Sequence, residues 1–424
     1  MDQRTATRRV ALGTLVVGLA AFVLLASTRV PWHPVAGGMP DPGDASTVFS
    51  ADQIARAEHL ARWSRTWSWS SLAVSLVVAC WLGFGRTGRA LAGRVPGWWW
   101  VRIVVVVAAL AVVGRLVTLP FALAYQQLRL DEGLATGSWS AWTLDLVKGE
   151  AVGVVSTSIA LIVLIGCARR WSRLWPIIAG GIAAGLVVGG SFAYPLVVEP
   201  LFNQFESLPS GSLRTEVLAL AEREGVDVDD VLVADASRRT TTLNAYVSGF
   251  GDSRRVVLYD TLVDDTPQDE TLSVVAHELA HAKYDDVLTG TLLGAAGALV
   301  AFGLLGLLMP GGVRAGRGTG AYDAAGAEDV ERLDARAVPR LLALAALATL
   351  LAAPVQNGIS RQLESRADQT ALTVTDDPGA FIQLQERLAD RSHADPTPPA
   401  WSQWWFGSHP TVLERIAVGE RARG

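Results

Sequence analysis

The chain has 424 residues, of which 50% are hydrophobic and 18% are charged, and its mean hydropathy is +0.31. Soluble domains carry about 25% charged residues, so this composition argues against a purely soluble protein and against a disordered one. The net charge is -5 and the aromatic residues do not alternate with basic runs, which argues against nucleic acid as a partner. Cys80 and Cys167 both lie in apolar runs, which excludes a disulfide framework or a cysteine-rich zinc site.

Seven apolar stretches approach the roughly 20 residues that a helix needs to cross the bilayer core. They are residues 10–27, 66–85, 103–124, 151–168, 174–198, 287–309 and 338–356. Tryptophans cluster at several of their ends, as in an aromatic belt. The sequence therefore predicts a predominantly α-helical, multi-pass integral membrane protein in contact with the lipid bilayer.

The first stretch follows Arg4, Arg8 and Arg9, which is typical of a cleaved signal peptide or of an uncleaved anchor. We favour the anchor, because the apolar run exceeds a usual signal core and six more stretches follow. Arg115 lies near the middle of the third stretch. A charge at this depth lines a wet cavity, pairs inside the protein or snorkels to the interface, and the sequence leaves these alternatives open.

The stretches divide the chain into four segments. Residues 1–198 hold five membrane helices, residues 287–357 hold two more, and residues 199–286 and 358–424 are the two polar parts of one further domain. In the first polar part, 213–224 predicts a helix, and 231–234, 244–247 and 255–259 predict short strands. Gly249, Gly251 and Asp252 supply a turn, so the last two strands form an antiparallel hairpin. The Gly-rich residues 311–337 indicate a flexible loop.

Residues 271–286 read TLSVVAHELAHAKYDD, which predicts an amphipathic helix. His277 and His281 are four residues apart, so a helix places both rings on one side, one turn apart. Two such imidazoles can share a tetrahedral metal ion, and Glu278 can reach a metal-bound water as general base. The alternative is a pair of surface histidines, and a third ligand further along the chain argues against it.

That third ligand is Glu364, in ISRQLESRADQTALT at 359–373. It completes a His, His, Glu set that leaves one coordination position for water. Asp368 is four residues away on the same helix face and can accept the outer ring N–H of a ligand histidine. Alone, Glu364 would be interpreted as an exposed ion pair with Arg361 or Arg366, but beside HELAH it predicts a zinc site.

Together these blocks resemble the integral-membrane zinc endopeptidases that include the type I CAAX prenyl proteases. The matching blocks are EPLFNQFESLPSGSLRTEV at 199–217, NAYVSGFGDSRRVVLYDTLV at 244–263, HELAH at 277–281, SRQLESRAD at 360–368 and FGSHPTVLERI at 406–416. Their order, their spacing and the seven stretches also match, so the resemblance covers most of the chain. It is most specific in the second half.

The resemblance implies a zinc ion bound by His277, His281 and Glu364, with Glu278 as base and Asp368 behind a ligand. It implies that Asn244 and Tyr246 lie on a strand that holds the substrate backbone. It also implies that His409 and Arg415 line the site near the developing oxyanion. The implied fold is a barrel of seven helices around a large chamber, capped by a zincin-like domain with a small sheet.

Two departures and the composition limit what the resemblance implies. Ala280 stands where the eukaryotic proteases usually have Gly, and the loop before the last stretch is short and Gly-rich, which puts a gating role there in doubt. The Arg- and Ala-rich composition suggests a high-GC bacterium. We therefore expect a bacterial cell membrane, where prenylated CAAX proteins are not an expected substrate.

The predicted function is a membrane-embedded zinc metalloendopeptidase that cleaves membrane-associated or extended polypeptides with a zinc-activated water and Glu278 as base. A site-2-type intramembrane protease would need its histidines within a span and a later Asp ligand within a span. Here His277 and His281 precede the sixth stretch and Glu364 follows the seventh, which argues against that alternative. A transporter, or an inactive scaffold with a structural zinc site, is the alternative from another class. A structural site would be closed and would not need Glu278.

The orientation is open because two arguments conflict. Arginines at the N-terminus and in the second, fourth and sixth loops place those segments inside the cell, and the metal domain outside the cytoplasm. The eukaryotic proteases of the resembled family place theirs on the cytosolic side.

Overall fold

The computed structural model describes residues 3–249, 251, 254–309 and 333–424. The helices of the first half are α1 (Gln3–Arg29), α2 (Ala45–Val48), α3 (Ala51–Phe84), α4 (Arg86–Arg94), α5 (Trp99–Asp131), α6 (Trp139–Arg170), α7 (Trp175–Val197) and α8 (Glu199–Phe202). The remaining helices are α9 (Ser212–Glu224), α10 (Asp260–Asp265), α11 (Gln268–Lys283), α12 (Asp286–Leu308), α13 (Val338–Thr375), α14 (Pro378–Ser392), α15 (Ala400–Phe406) and α16 (Val412–Arg423).

Seven helices of the described residues are long and apolar enough to cross a membrane, namely α1, α3, α5, α6, α7, α12 and α13. They coincide with the seven predicted stretches, which confirms that prediction. At most 33% of the residues in the apolar window of each are buried within the protein. The apolar surface that remains is far larger than a soluble protein exposes, so lipid must cover it.

A cavity of about 350 Å³ lies between α3, α5, α6 and α13. Its lining is mostly apolar, and the Glu150 carboxylate is its charged group among the described residues. Arg115 donates from Nε to Oε1 of Glu150 over 2.8 Å. Of the alternatives for Arg115, pairing inside the bundle is therefore the one the structure shows.

The described residues form one four-stranded sheet in the order β1-β2-β4-β3. The strands are β1 (Phe205–Ser207), β2 (Asp230–Ala234), β3 (Ala245–Ser248) and β4 (Arg255–Tyr259). Strands β3 and β4 pair antiparallel, which confirms the predicted hairpin, and β2 runs parallel to β4. Gly249 and Gly251 adopt positive φ in the turn, whereas Asp252 lies outside the described residues. Strand β1 was not predicted.

Helix α11 packs on the sheet through a fully buried face. Val275 and Leu279 are 0% exposed and lie in one apolar cluster with Val256 and Leu258 of β4. Burying a side chain of this size stabilises the fold by about 1.5–3 kcal/mol, so this face determines which side of α11 turns away from the sheet.

Helix α13 joins the membrane to the polar domain without a break. Its 38 residues span roughly 57 Å at 1.5 Å per residue, well beyond a hydrocarbon core of about 30 Å. The boundary expected at 357/358 thus falls inside a continuous helix. The predicted flexible loop at 311–337 lies mostly outside the described residues, and its end, Ala335–Ala337, forms a short 3-10 helix.

Candidate metal centre

The two histidines of HELAH project from α11 toward the same point. Their Nε2 atoms are 3.2 Å apart, and His277 is buried while His281 is half-buried. The i,i+4 spacing explains the shared side, and burial of Val275 and Leu279 against the sheet turns that side outward.

Glu364 reaches the same point from α13. Its Oε2 lies 3.2 Å from Nε2 of His277, and its Oε1 lies 3.6 Å from Nε2 of His281. Ligand atoms at about 2.0–2.1 Å from a tetrahedral zinc ion are separated by roughly 3.3–3.5 Å, so this triad fits such an ion. The ion pair that Glu364 would make on an exposed helix does not form, because Arg366 faces Asp286 and Arg361 faces backbone carbonyls.

Asp368 stands behind His277. Its Oδ1 lies 2.9 Å from Nδ1 of His277, and Arg415 approaches the same carboxylate with Nε at 2.9 Å from Oδ2. The Asp368 side chain is 3% exposed. A buried carboxylate between an imidazole and a guanidinium stays ionised and orients the Nε2 of His277 toward the metal position.

Asp286 stands behind His281 in the same way, a role that was not predicted from the sequence. Its Oδ2 lies 2.9 Å from Nδ1 of His281, and its Oδ1 accepts a hydrogen bond from Arg366. The Arg366 guanidinium in turn lies 4.1 Å from the ring centroid of Tyr284. The sequence signal that could have predicted this role is an acidic residue five positions after His281, immediately before the sixth apolar stretch.

A cleft of about 400 Å³ opens over these side chains, lined by residues of β3, α11, α12 and α13 and by His409. Glu278 lies in this cleft beside both histidines. Burial raises the pKa of the Glu278 carboxyl above its usual range. A raised pKa makes this carboxylate a stronger base, which suits a general base that works near neutral pH.

His409 comes to the cleft from the loop between α15 and α16. Its Nε2 lies 3.3 Å from Oε2 of Glu364, and its side chain is 59% exposed. Arg361 and Gln403 hold this loop by donating to the carbonyls of Gly407 and His409. The histidine is therefore placed at the open side of the metal position.

Arg415 reaches the centre from α16 and is not among the described residues that line the cleft, and its expected role near the oxyanion stays a prediction. Its guanidinium binds Asp368 through two nitrogens. A carboxylate that accepts from two guanidinium nitrogens is a strong partner, and Asp368 also contacts Nδ1 of His277.

Strand β3 forms an open edge of the sheet beside the cleft. The carbonyl of Asn244 accepts a hydrogen bond from Tyr259 of β4, so by alternation the backbone groups of Ala245 and Val247 face the open edge. The Asn244 side chain accepts from the N–H of Ala245. Tyr246 is among the residues that line the cleft, its ring packs with Leu232, Ala234 and Val257, and burial raises the pKa of its hydroxyl.

The chain is similar to known protein families along most of its length. A model of peptidase family M48 matches residues 207–421, and a model of the CAAX prenyl protease N-terminal region with five membrane helices matches residues 50–204. The chain belongs to peptidase family M48.

Relatives in this family cover most of the chain. The metalloprotease YhfN of Bacillus subtilis (strain 168) is 28% identical over 319 residues, which are 74% of this chain and 72% of its own. A CAAX prenyl protease 1 homolog of Oryza sativa subsp. japonica is 29% identical over 334 residues, with the same coverage of 74% and 72%. The crystal structure of S. mikatae Ste24p has the same fold, with a TM-score of 0.76 over 99% of both chains at 18% identity.

Membership of the M48 family, together with seven membrane-crossing helices, makes the chain an integral membrane metallopeptidase. The transporter or inactive scaffold considered from the sequence is not favoured. Neither is the site-2-type alternative, because α11 is not among the membrane-crossing helices of the described residues.

Proposed function

We propose that this M48 peptidase is a zinc-dependent endopeptidase in which His277, His281 and Glu364 bind the metal and Glu278 is the general base. The observation that carries the proposal is the convergence of these three ligand atoms within 4.8 Å of one another, in a cleft that also contains Glu278. When bound, zinc supplies Lewis acidity, which polarises the peptide carbonyl and lowers the pKa of coordinated water.

Glu278 takes the proton of the attacking water and later delivers it to the leaving amine, because its carboxylate faces the cleft and its pKa is raised. His409 donates from its ring to the carbonyl oxygen as negative charge develops there. Asp368 and Arg415 act on the reaction through His277, and Asp286 and Arg366 act through His281. We therefore assign Arg415 a positioning role.

The substrate is a polypeptide bound in an extended conformation along β3. The outward backbone groups of Ala245 and Val247 can pair with an added strand, and Val247 lines the cleft next to the metal position. Asn244 would release the N–H of Ala245 to the substrate by rotating its side chain. Tyr246 would support this strand through its packing on the sheet.

The cleft adjoins the membrane-crossing helices α12 and α13, so membrane-associated polypeptides can reach it directly. A bacterial cell membrane is the location we propose, in line with the Bacillus subtilis relative. From the arginine distribution we propose that the metal domain lies outside the cytoplasm. A reporter fused to the C-terminus tests this placement, and activity restricted to the cytoplasm would reverse it.

The test of the reaction is Glu278→Gln in the purified protein reconstituted in lipid. We expect the variant to bind zinc as the wild type does, because the three ligands are intact. Cleavage of an internally quenched peptide should fall by about 10²–10⁴-fold, the usual contribution of a general base. Glu222→Gln, an exposed change on α9, is the matched control. Equal cleavage by wild type and Glu278→Gln would refute the assignment.

A further inference from the structure

Helix α15 presents an uncharged aromatic face that stays largely exposed among the described residues, although Trp69 of α3 packs against part of it. Its sequence is AWSQWWF, and Trp401, Trp404 and Phe406 are 56%, 55% and 39% exposed. Large aromatic side chains exposed side by side mark a surface that meets an apolar partner. The absence of charge on the helix favours lipid over a charged protein surface.

A hydrogen bond fixes the depth of α15 relative to the membrane. Pro354 lies inside α13 and has no N–H, so the carbonyl of Leu350 loses its helical donor. The indole Nε1 of Trp405 donates to this carbonyl over 3.1 Å. Leu350 is six residues before the end of the apolar stretch 338–356, or about 9 Å along the helix axis.

The hydrogen bond from Trp405 to the Leu350 carbonyl is most favourable if both groups lie inside the bilayer. A carbonyl without a donor is costly in a hydrocarbon environment, and a neighbouring indole removes that cost only if it lies at the same depth. The backbone of α15 is also tied to α13, since Asn357 donates to the carbonyl of Trp405 and Arg361 donates to the carbonyl of Gln403. Helix α15 is thus held beside the end of the seventh span.

The exposed face continues the aromatic residues at the start of the second span. The rings of Trp69 and Trp401 are 4.7 Å apart, and Trp69 lies 6.1 Å from Phe406. Trp69 is near the start of the apolar stretch 66–85, where tryptophans usually mark the membrane–water interface. The two helices therefore form one aromatic surface at one level.

We propose that α15 is an interfacial membrane helix, with Trp401, Trp404 and Phe406 inserted into the headgroup and acyl boundary of the bilayer. The partner of this surface is the lipid bilayer itself. Phe406, at the end of this membrane contact, is three residues before His409. The bilayer therefore holds the loop that brings this histidine to the metal position. The placement of α15 does not depend on the proposed peptidase chemistry.

The test is the accessibility of nitroxide labels, measured by electron paramagnetic resonance with the full chain in nanodiscs of phosphatidylethanolamine and phosphatidylglycerol. Single cysteines are introduced as Trp401→Cys, Trp404→Cys and Phe406→Cys in a chain carrying Cys80→Ala and Cys167→Ala. Val77→Cys, on the exposed surface of α3, is the lipid reference, and Glu222→Cys on α9 is the aqueous reference.

We expect the three α15 labels to be more accessible to oxygen than to a water-soluble nickel chelate, at a depth of about 5–10 Å. The Glu222→Cys label should show the reverse. Nickel accessibility at 401 and 404 equal to that at 222 would overturn the proposal. Low accessibility to both reagents, with or without spin–spin coupling between chains, would also overturn it, because protein would then cover the face. Three separately labelled positions keep the test decisive if one variant does not fold.

Discussion

The two histidines that we propose as metal ligands have matching surroundings, which are built from different parts of the chain. His277 is backed by Asp368 and Arg415, and His281 is backed by Asp286 and Arg366. In both cases a carboxylate with 3–6% of its side chain exposed lies between an imidazole and an arginine with 15–18% exposed. We call these the Asp368 arm and the Asp286 arm.

The arms differ in how the carboxylate is delivered. Asp368 lies on the same helix as Glu364, four residues later, so one rigid element carries both a proposed ligand and the carboxylate that contacts another proposed ligand. Asp286 follows a sharp turn between α11 and α12, in which Asp285 adopts a positive φ of 52°. One arm is therefore a consequence of helix geometry, and the other depends on where a turn sends the chain.

The largest expected effect is a loss of bound zinc when the metal position between the two arms loses a ligand. Glu364→Ala removes one of three ligands and should lower zinc content from about one ion per chain to near none after dialysis, because two imidazoles alone hold the ion weakly. Metal analysis of the purified protein measures this, with Glu222→Ala on α9 as the control. Full zinc content in Glu364→Ala would mean that the arms do not serve a shared metal.

The next largest effect is a loss of zinc affinity when either arm loses its carboxylate charge. Asp368→Asn and Asp286→Asn each remove a charge behind a ligand and should weaken zinc binding by about 10–100-fold. Each change also leaves a half-buried arginine without its carboxylate, so the two losses should be similar. Competition with a fluorescent chelator measures affinity, and Asp227→Asn at an exposed position is the control. An unchanged affinity in Asp286→Asn would reduce that arm to a helix-packing contact.

Glu224 is a useful contrast to Asp368 and Asp286, because it is a buried carboxylate that does not lie between an imidazole and an arginine. Its side chain is 0% exposed, and Lys283 lies 3.8 Å away. Burial raises the pKa of Glu224 from 4.5 to about 7. Between these values the folded chain binds more protons than the unfolded chain, so the free energy of unfolding falls as pH rises.

Glu224→Gln removes this titration. The wild type should lose up to about 3 kcal/mol of stability between pH 5 and pH 8 through this group, and the variant should lose less over the same interval. Thermal unfolding in lipid at both pH values measures the difference. Parallel pH profiles for wild type and variant would show that Glu224 is paired more strongly than its contacts indicate.

The smallest effect concerns the turn that delivers Asp286. Asp285→Gly should stabilise the protein by no more than about 1 kcal/mol, because glycine adopts positive φ freely while the salt bridge to Arg254 is exposed and worth little. Zinc affinity should be unchanged. A loss of zinc affinity in this variant would show that Asp285 itself, and not the turn alone, orients the Asp286 arm.

Much of the fold followed from local pattern. The seven spans were predicted from apolar length, and the hairpin from β-branched residues around a glycine turn. Strand β1 was missed because FES carries no strand pattern of its own and pairs with β2 only through the tertiary fold. The partner of Arg115 was also beyond sequence, because Glu150 is one of several acidic residues near span ends and only helix packing brings it to 2.8 Å.

The sequence by itself was enough to predict the membrane helices, because apolar length is a property of a single helix. It was also enough to identify the candidate metal-site residues, because i,i+4 spacing is likewise a property of a single helix. These residues are His277, Glu278, His281, Glu364 and Asp368. The tertiary structure alone decided that Asp286 and Arg366 complete the surroundings of His281. It also decided that Arg415 faces Asp368 and that α15 lies against the seventh span. Such contacts join residues whose separation along the chain says nothing about their distance in space. They form because buried charges and orphaned carbonyls must find partners wherever the packed helices place them.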